Sequence, residues 1–598
     1  MADPQIARPA EAPARTRRSG HRRAADPRLW VVRGALPLAL LLWLLSLRGV
    51  PLARMQDLGL LQVLPPTYWA ALAVLTVGFT AALRLPRPPV HWAAGYVIGL
   101  IAIVHATPSL LYPNLRYAWS WKHVAVVDAM LRNNGTVPHA GSLDIYNQWP
   151  GFFQLNVLFL RATGQHSALG YASWYEPLAN LLLLGPLLLL FAALTRDTRL
   201  IWGGAFVYFA TSWVGQDYFS PQAFAYLLYL LVIALVMRRL GDRRAGGWRL
   251  GPYLVLVVLI AAVVTSHQLT PFMLVSALLL LSLPRRNRRT VLPVLAAAVG
   301  LTALWDGTVA RPYFAANLHD LVTALTSPDS NVLAGVSGLG ATASGQVLVA
   351  WIDRATTAAV LLLAVTVLLR HRRLRATGLP MLLAAPLPLL LGNPYGGEMI
   401  FRAYLFALPA AAFLCATAIF GRRRPAPPWH AAVTWAALLA LLAGLLFGNY
   451  SKEAMNYFNA SEAAAVRYVA DNAPTGSRIV SVTSDLPGGE LRYDQHERLV
   501  LSQLSVEDQR RLLTDPLPVV ENLMSDARVT GPSYLVLTRA QAAECLLTGR
   551  FPVGTVERVQ HAVAASPDFQ PVFTGDGAVV YRYVPPVAAP TPAEGSTP

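Results

Sequence analysis

The chain has 598 residues, of which 55% are hydrophobic and only 14% are charged, and its mean hydropathy is +0.43. A soluble domain carries about 25% charged residues, and no soluble core of this length could bury so much apolar surface, so the composition excludes a soluble enzyme and indicates an integral membrane protein. The two cysteines, Cys415 and Cys545, lie in an apolar run and in a polar region, which argues against a disulfide between them.

The net charge of +17 first suggests a nucleic-acid partner, but the basic residues are unevenly distributed. From Ser451 onward there are 12 Lys and Arg against 17 Asp and Glu, whereas the first 450 residues hold 37 basic and 15 acidic residues. The basic residues of this first part stand in short clusters between apolar runs, as in cytoplasmic loops. Nucleic acid would need a basic patch on a polar surface, so we expect no nucleic-acid partner.

In chain order, residues 1–29 form a polar, Arg-rich segment that we expect to be a disordered cytoplasmic tail. Apolar stretches that are long enough, or nearly so, to cross about 30 Å of hydrocarbon follow. There are thirteen of them: 33–47, 67–84, 91–107, 176–194, 200–214, 221–237, 252–266, 270–284, 291–305, 350–369, 378–392, 400–420 and 429–448. The sequence therefore predicts a mainly α fold, a polytopic transmembrane helix bundle of about 13 spans over residues 30–448.

The loop charges predict the orientation of these spans. Counting alternately from a cytoplasmic N-terminus places Arg clusters inside, at 238–244, 285–289, 370–375 and 422–424, and outer loops 215–220, 267–269 and 393–399 contain no Lys or Arg. The last span then exits outward. Residues 449–585 are therefore expected outside the cytoplasm of a multi-pass cell-membrane protein.

The region 449–585 has the pattern of a soluble α/β domain. Asn459, with Glu462 three positions later, predicts a capping box at the start of a helix through Val469. Three strands are predicted, at Arg478–Thr483, Tyr534–Thr538 and Ala578–Tyr583. The Pro/Ala-rich tail 586–598 is expected to be disordered.

The longest outer loop, residues 108–175, is rich in Trp, Tyr and Phe. Ala125–Leu131 and Pro150–Leu160 have the pattern of helices that lie in the membrane interface, where Trp and Tyr rings are common. For most of these rings an interface anchor is the simpler interpretation. The alternative is a platform for sugars, because binding pockets also use aromatic linings.

Polar side chains at or near membrane depth are costly and often functional. They concentrate in four short outer segments: 121–128, 215–222, 266–271 and 393–402. Each segment could be a helix-capping turn, or the four could share one cavity that opens outward. Arg402 follows Glu398 by four residues, so the two could form an internal ion pair, or Arg402 could bind a phosphate. The candidate residues are Lys122, His123 and Asp128; Gln216, Asp217 and Tyr218; His267; and Tyr395, Glu398 and Arg402.

At these segments, and most strongly at 117–164 with its motif 146–153, the chain resembles the GT-C-fold polytopic glycosyltransferases of actinobacterial type. The resemblance implies that a sugar moves from a polyprenyl-phosphate-linked donor to a cell-envelope glycan, lipid or protein acceptor at the outer face. Members usually carry an acid near the start of the first helix of this loop. Here that stretch reads Ser120-Trp121-Lys122-His123, and the first acid is Asp128.

This resemblance gives the candidates their expected roles. Asp128 or Asp217 would be the catalytic base for an acceptor hydroxyl, and Arg402, held by Glu398, would meet the phosphate of the leaving group. The other substrate-binding candidates would assist at the phosphate or orient the sugar: Lys122, His123, Tyr146, Gln216, Tyr218, His267 and Tyr395. No spacing specifies a metal ligand, although several outer acids could share a divalent cation.

Two other functions fit a polytopic chain of this kind. A transporter or flippase of lipid-linked glycan would carry discontinuous helices and polar residues near the bilayer midplane, usually with internal repeats. The polar residues here cluster toward the outer face, which favours the enzyme. A non-catalytic protein of cell-envelope assembly would place its working part in the region 449–585, and its four polar segments would not converge.

Overall fold

The computed structural model describes residues 28–242, 247–317, 343–388, 399–421, 427, 429–526 and 528–584. Several expectations concern residues outside these ranges. They are the cytoplasmic tail up to residue 27, the arginines at 243–244 and 422–424, the candidates Tyr395 and Glu398, and the tail 586–598.

The described part of the chain up to Tyr450 is helical, apart from its connections. Its longer helices are α1 (Arg28–Ser46), α2 (Pro66–Leu83), α3 (Val90–Leu111), α4 (Ala118–Arg132), α6 (Gly151–Thr163), α8 (Tyr175–Leu194), α9 (Thr198–Thr211), α10 (Pro221–Gly241), α11 (Leu250–Ser266), α12 (Thr270–Ser282), α13 (Arg288–Gly307), α14 (Ser344–Arg370), α17 (Met399–Phe420) and α18 (Trp429–Tyr450). The short helices are α5 (Ile145–Gln148), α7 (Leu169–Ala172), α15 (Arg372–Arg375) and α16 (Leu379–Ala384).

Within the described ranges, nine of these helices are long and apolar enough to cross a membrane, and α11 and α12 are shorter apolar helices. The predicted helical bundle with a C-terminal α/β region is confirmed, whereas the number of thirteen spans stays a prediction. The predicted span 378–392 contains only the six-residue helix α16, and its last four residues lie outside the described ranges.

Close packing of α1, α2 and α3 depends on one glycine. A Cβ atom at Gly78 of α2 would collide with the ring and hydroxyl of Tyr96 on α3. The Tyr96 hydroxyl in turn donates a hydrogen bond of 2.7 Å to the carbonyl oxygen of Val32 on α1. The absence of a side chain at Gly78 therefore lets three apolar helices meet around one buried tyrosine.

The large loop after α3 contains α4, α5, α6 and α7. The sequence predicts helices at 125–131 and 150–160. The observed α4 is longer at both ends, whereas α6 begins one residue later and ends three residues later than predicted. Helix α6 is amphipathic: Phe152 and Phe153 are buried, whereas Leu158 is 61% exposed and Phe159 is 47% exposed. This pattern is the one expected of a helix at an interface.

A five-stranded sheet forms the core of the C-terminal region, in the order β2-β1-β3-β5-β4. Its strands are β1 (Arg478–Ser481), β2 (Glu497–Val500), β3 (Ser533–Thr538), β4 (Phe569–Gly575) and β5 (Ala578–Tyr583). Strand β1 lies parallel to β2 and β3, and β5 lies antiparallel to β3 and β4. The sequence prediction missed β2, which is short and polar at its start, and β4, whose pairing is irregular between Pro571 and Phe573.

The helices of this region are α19 (Glu453–Asn456), α20 (Ala460–Asn472), α21 (Val506–Thr514), α22 (Pro516–Met524), α23 (Arg539–Thr548) and α24 (Thr555–Ala564). The predicted capping box is confirmed, because Asn459 and Glu462 each bond to the backbone N–H of the other at 2.8 Å. Arg539 joins the sheet region to the chain that leaves α18, by donating hydrogen bonds to the carbonyl oxygens of Ala454, at 2.7 Å, and of Tyr457.

Candidate functional site

The segment 212–220, between α9 and α10, presents the acid Asp217. Gly215 adopts a φ of +62°, a left-handed conformation that glycine reaches without steric cost, and so allows the chain to turn. At the other end, the Ser220 hydroxyl accepts a hydrogen bond of 3.1 Å from the Ala223 N–H and caps α10. Ser220 and Pro221 therefore have the capping role that their sequence suggested, while Asp217 points toward α3 and α8.

Two buried side chains hold the Asp217 carboxylate. The Oδ2 atom lies 2.9 Å from Nδ1 of His105 on α3 and accepts a hydrogen bond of 2.6 Å from the Asn180 amide on α8. Burial raises the pKa of Asp217, but His105 and the hydrogen bond from Asn180 outweigh that effect and lower the pKa to about 2. Because its side chain keeps 25% of its accessible surface, Asp217 is an ionised, oriented carboxylate that a reactant can approach.

A second group of buried charges adjoins this pair. Arg116, just before α4, lies 3.5 Å from the Glu176 carboxylate through Nε and 3.3 Å from the Glu453 carboxylate through Nη2. The Tyr112 hydroxyl donates a hydrogen bond of 2.7 Å to the second oxygen of Glu453. Arg116 and both glutamates are at most 8% exposed, so this cluster is removed from water.

Among the described residues, His105, Glu176 and Asp217 form a group that could hold a metal ion, since their ligand atoms all lie within 4.8 Å of one another. One imidazole nitrogen and two carboxylate oxygens suit a divalent cation such as Zn²⁺ or Mn²⁺. The oxygens are already engaged in part, because Arg116 pairs with Glu176 and Asn180 bonds to Asp217.

Helix α4 contributes His123 to the other side of segment 212–220. Its Nδ1 atom donates a hydrogen bond of 2.8 Å to the carbonyl oxygen of Phe219, which leaves Nε2 facing the Tyr146 hydroxyl at 3.4 Å. The rings of His123 and Tyr218 are nearly parallel, with centroids 5.9 Å apart. Burial lowers the pKa of His123 to about 3, an effect that the Phe219 carbonyl only partly opposes, so the ring is neutral at physiological pH.

His267 and Arg402 extend the same group of side chains. His267 lies between α11 and α12, and its Nδ1 atom accepts hydrogen bonds from the Thr270 N–H, at 3.2 Å, and from the Thr270 hydroxyl, at 2.9 Å. Its proton therefore resides on Nε2. Burial, followed by the nearby positive charge of Arg402, lowers the pKa of His267 well below its usual range. Arg402 is only 6% exposed on α17.

The start of α17 is fixed against the end of α9. The Tyr404 hydroxyl donates a hydrogen bond of 2.9 Å to the carbonyl oxygen of Thr211, and the Tyr404 ring stacks on Trp213 with centroids 5.9 Å apart. Trp213 opens the segment that carries Asp217, so this contact joins the start of α17 to that segment. A continuous series of contacts and electrostatic neighbours thus links the predicted candidates Asp217, Tyr218, His123, Tyr146, His267 and Arg402, with Gln216 in the same segment.

Two predicted candidates lie apart from this series. Lys122 points away from His123: its Nζ atom lies 3.8 Å from the Trp119 ring centroid and 3.4 Å from the Glu490 carboxylate of the C-terminal region. Asp128 accepts a hydrogen bond of 2.8 Å from the Ser167 hydroxyl, and burial raises its pKa to about 6. The remaining candidates, Tyr395 and Glu398, lie outside the described residues.

Sequence reasoning missed the side chains that hold Asp217 and its neighbours. His105 stands near the end of a long apolar helix, and a polar residue in such a run is a signal of function that could have been used. Glu176 and Asn180 are four residues apart at the start of α8 and therefore share one helix face. Arg116 carried no comparable signal, because a single arginine in an outer loop ordinarily contacts water.

No protein-family model matches this chain, and neither does any curated protein. Solved structures are similar at 12% identity. The Archaeoglobus fulgidus oligosaccharyltransferase tethered to an acceptor peptide gives a TM-score of 0.46, with 86% of this chain and 74% of that chain covered. AglB of the same organism, with an inhibitory peptide and a dolichol-phosphate, gives 0.49, with 82% and 74% covered.

ArnT from Cupriavidus metallidurans, bound to undecaprenyl phosphate, is similar at 12% identity with a TM-score of 0.46, and 84% of this chain and 99% of that chain are covered. The class that the sequence resembles, polytopic GT-C glycosyltransferases, thus recurs among the solved structures similar to this chain. All these TM-scores lie below 0.5, so the functional proposal depends on the residues of the site.

Proposed function

We propose that the protein is a membrane glycosyltransferase that moves a sugar from a polyprenyl-phosphate donor to a cell-envelope glycan, lipid or protein acceptor at the outer face. The observation that carries this proposal is the environment of Asp217. An ionised carboxylate is oriented by His105 and Asn180 near the ends of α3 and α8. It precedes Tyr218, whose ring stacks on His123, and Arg402 is buried near His267. Transfer from a phosphate carrier requires both a base and a cation, and this region supplies both.

In the proposed reaction, Asp217 takes the proton of an acceptor hydroxyl as the oxygen attacks the anomeric carbon of the sugar. The bond between that carbon and the phosphate oxygen breaks, and the polyprenyl phosphate leaves with the electron pair. We prefer Asp217 to Asp128 as the base. Asp128 accepts a hydrogen bond from the Ser167 hydroxyl and lies on a different side of α4 from His123.

The negative charge that develops on the leaving phosphate needs stabilisation. Arg402 is buried near His267, which carries its proton on Nε2 and can donate a hydrogen bond. Guanidinium and imidazole donors in a site that excludes water bind phosphate oxygens strongly. We assign Arg402 and His267 to the phosphate, and we assign Tyr146, Gln216, Tyr218 and His123 to the sugar.

A divalent cation fits this proposal at His105, Glu176 and Asp217. In the nearby buried cluster, the carboxylates of Glu176 and Glu453 face the single guanidinium of Arg116. The excess of negative charge in this cluster could accommodate a cation. When bound there, the ion would supply positive charge near a phosphate. Asp217 could then act as a ligand instead of a base. Measuring transfer after chelation, and again after addition of Mg²⁺, Mn²⁺ or Zn²⁺, distinguishes Asp217 as a metal ligand from Asp217 as a base.

The proposal places residues 449–584 outside the cytoplasm, together with the ends of the helices that carry the site. Single cysteines at exposed positions of this region, in a chain whose two native cysteines are replaced, would report its side of the membrane. We expect labelling of intact cells by a membrane-impermeant maleimide. If labelling required disruption of the membrane, residues 449–584 would lie on the cytoplasmic side, and the proposed site at the outer face would be wrong.

The decisive experiment replaces Asp217 by Asn in the full-length chain in proteoliposomes. The substrates are short-chain polyprenyl phosphates that carry radiolabelled glucose, mannose, galactose or arabinose, with isolated cell-envelope fractions as acceptors. We expect a loss of transfer of about 10²–10⁴-fold, the usual contribution of a general base. The matched control is Asp128→Asn, which we expect to keep most of the activity. Full activity of Asp217→Asn would reject the proposal for that residue.

A further inference from the structure

The connection between strands β1 and β2 of the C-terminal region reaches helix α4. Parallel neighbouring strands need a crossover connection, which is usually a helix. Here residues 482–496 cross over in a series of turns. Leu486 and Leu491 of this connection pack with the sheet core, while Tyr493 packs against the core that includes α4. The connection thus joins two hydrophobic cores.

Two ion pairs attach this connection to opposite ends of α4. Near its start, the Lys122 Nζ atom lies 3.4 Å from Glu490, which also pairs with Arg498. Near its end, Arg132 lies 2.7 Å from Asp494, and the Asn133 amide donates a hydrogen bond of 3.1 Å to the same carboxylate. Ten residues of helix span about 15 Å, so the two pairs restrain both the position and the tilt of α4.

Burial strengthens these contacts. The side chains of Glu490 and Asp494 keep only 7% and 8% of their accessible surface, so water screens the two pairs less than it screens surface ion pairs. Beside the pair of Lys122 and Glu490, Trp121 lies against Gly488, where an added Cβ atom would stand 3.1 Å from the indole ring. Gly488 also has a φ of +76°, which favours glycine. Close contact with α4 therefore depends on a glycine at this turn.

The same helix carries His123 into the candidate site. His123 is adjacent to Lys122 in sequence but lies about 100° around the helix, given 3.6 residues per turn. It therefore contacts Phe219 and Tyr146 while Lys122 contacts Glu490. A small rotation or shift of α4 would move His123 relative to segment 212–220.

We propose that the C-terminal α/β region positions α4, and through it His123, by means of the α4 clamp, defined as Glu490, Asp494 and Gly488 with their partners Lys122, Arg132 and Trp121. The inference rests on the proposed function, since it concerns the site of the proposed transfer. Asp494 and Arg132 are positioning residues in this scheme, because neither contacts the side chains assigned to substrate.

A charge-swap experiment tests the clamp. Asp494→Arg and Arg132→Asp are made singly and together in the full-length chain in proteoliposomes. Each single change places two like charges together at one end of α4, and we expect about a tenfold loss of transfer, mainly in kcat, as expected when an oriented group is displaced. The double variant restores an opposite pair and should return to within about threefold of the wild-type rate.

The matched control is a swap of the exposed pair Glu507 and Arg511 on α21, whose side chains are 73% and 65% exposed. Neither its single nor its double variants should change transfer. Hydrogen exchange of the α4 amides gives a second measurement that needs no substrate: exchange should accelerate in the single variants and return toward wild type in the double variant. Unchanged exchange in both single variants, or a double variant as impaired as the singles, would overturn the clamp.

The two measurements separate this inference from the proposed function. If Asp217→Asn retains full transfer activity but the exchange of α4 follows the charge swap, the base assignment fails and the clamp stands. If Asp217→Asn abolishes transfer and the single swaps alter neither exchange nor kcat, the clamp fails and the proposed function stands.

Discussion

Buried charge is used differently in the C-terminal α/β region and at the ends of the transmembrane helices beside Asp217. Within the α/β region itself, two sets of buried charged groups serve local links. Glu462 caps α20 and pairs with Arg539, and Arg478 pairs with Glu497 and Asp526 beside the sheet. These contacts join elements that are already neighbours in the sheet fold, so they stabilise the domain.

At the helix ends, charged groups from separate elements converge on one place. His105 comes from α3, Arg116 from the loop before α4, Glu176 from α8, Asp217 from the segment before α10 and Glu453 from α19. Packing alone does not require this arrangement, because removing several charges from water is costly. The comparison indicates that buried charge stabilises the structure in the α/β region, whereas at the helix ends it gathers beside Asp217, the proposed base.

The largest stability effect should come from Arg116, because it neutralises two buried glutamates. Arg116→Met leaves Glu176 and Glu453 without their guanidinium partner and should destabilise the protein by about 3–5 kcal/mol, the usual consequence of breaking a buried pair. The thermal unfolding midpoint in detergent, followed by tryptophan fluorescence, measures this. Arg511→Met removes an arginine that is 65% exposed and should leave the midpoint nearly unchanged. Equal midpoints for both variants would show that the Arg116 cluster is not a coupled unit.

The next effect distinguishes the two candidate bases through pH. With Asp217 as base, at a pKa of about 2, the carboxylate stays ionised from pH 5 to pH 8 and its titration should not lower transfer in that range. With Asp128 as base, at a pKa of about 6, the ionised fraction and the rate should fall about tenfold between pH 7 and pH 5. Rate–pH profiles of wild type and Asp128→Asn decide the matter. A fall near pH 6 that disappears in Asp128→Asn would transfer the role of base to Asp128.

A smaller effect should appear at Asp485, which is 4% exposed in the α/β region. Burial, followed by the charges of Glu544 and Glu462, raises its pKa well above the usual range. The folded state therefore binds a proton that the unfolded state has lost, and the free energy of unfolding falls as pH rises from the unfolded pKa toward the folded one. Asp485→Asn removes this penalty and should stabilise the protein by about 1 kcal/mol at pH 8 and by less at pH 5.

Denaturant unfolding at the two pH values tests this prediction. Asp471→Asn is the control, because its side chain is 69% exposed. It should change stability little at either pH. A gain for Asp485→Asn that is the same at both pH values would contradict the explanation from protonation.

The sequence predicted those features that depend on local pattern. Long apolar runs predicted the transmembrane helices, the spacing of Asn459 and Glu462 predicted the cap of α20, and polar residues beside apolar runs pointed to Asp217, His123 and Arg402. A period of 3.6 residues or a capping motif is encoded in neighbouring residues. Such features therefore need no knowledge of the tertiary structure.

Partners that come from distant parts of the chain could not be predicted in this way. His105 meets Asp217 only because α3 packs beside the segment before α10, and no local pattern encodes that contact. Lys122 and His123 are adjacent, yet one contacts the α/β region and the other the candidate site. The sequence offers Asp128 and Asp217 as alternative bases, because it does not show that Ser167 lies against Asp128.

The smallest effect should come from Asn459→Ala, which removes one side of the capping box. The variant loses the hydrogen bonds of 2.8 Å to the Glu462 N–H and of 3.0 Å to the Asp576 carbonyl oxygen, and should destabilise the protein by about 0.5–1 kcal/mol. Transfer should stay within about twofold of wild type, because this cap holds the start of α20. Ser505→Ala, which removes the cap of α21, is a matched control with a similar small loss. If Asn459→Ala impaired transfer as strongly as Asp217→Asn, local structure of the α/β region would have to determine the geometry around Asp217. The two regions would then not differ in how they use buried polar groups.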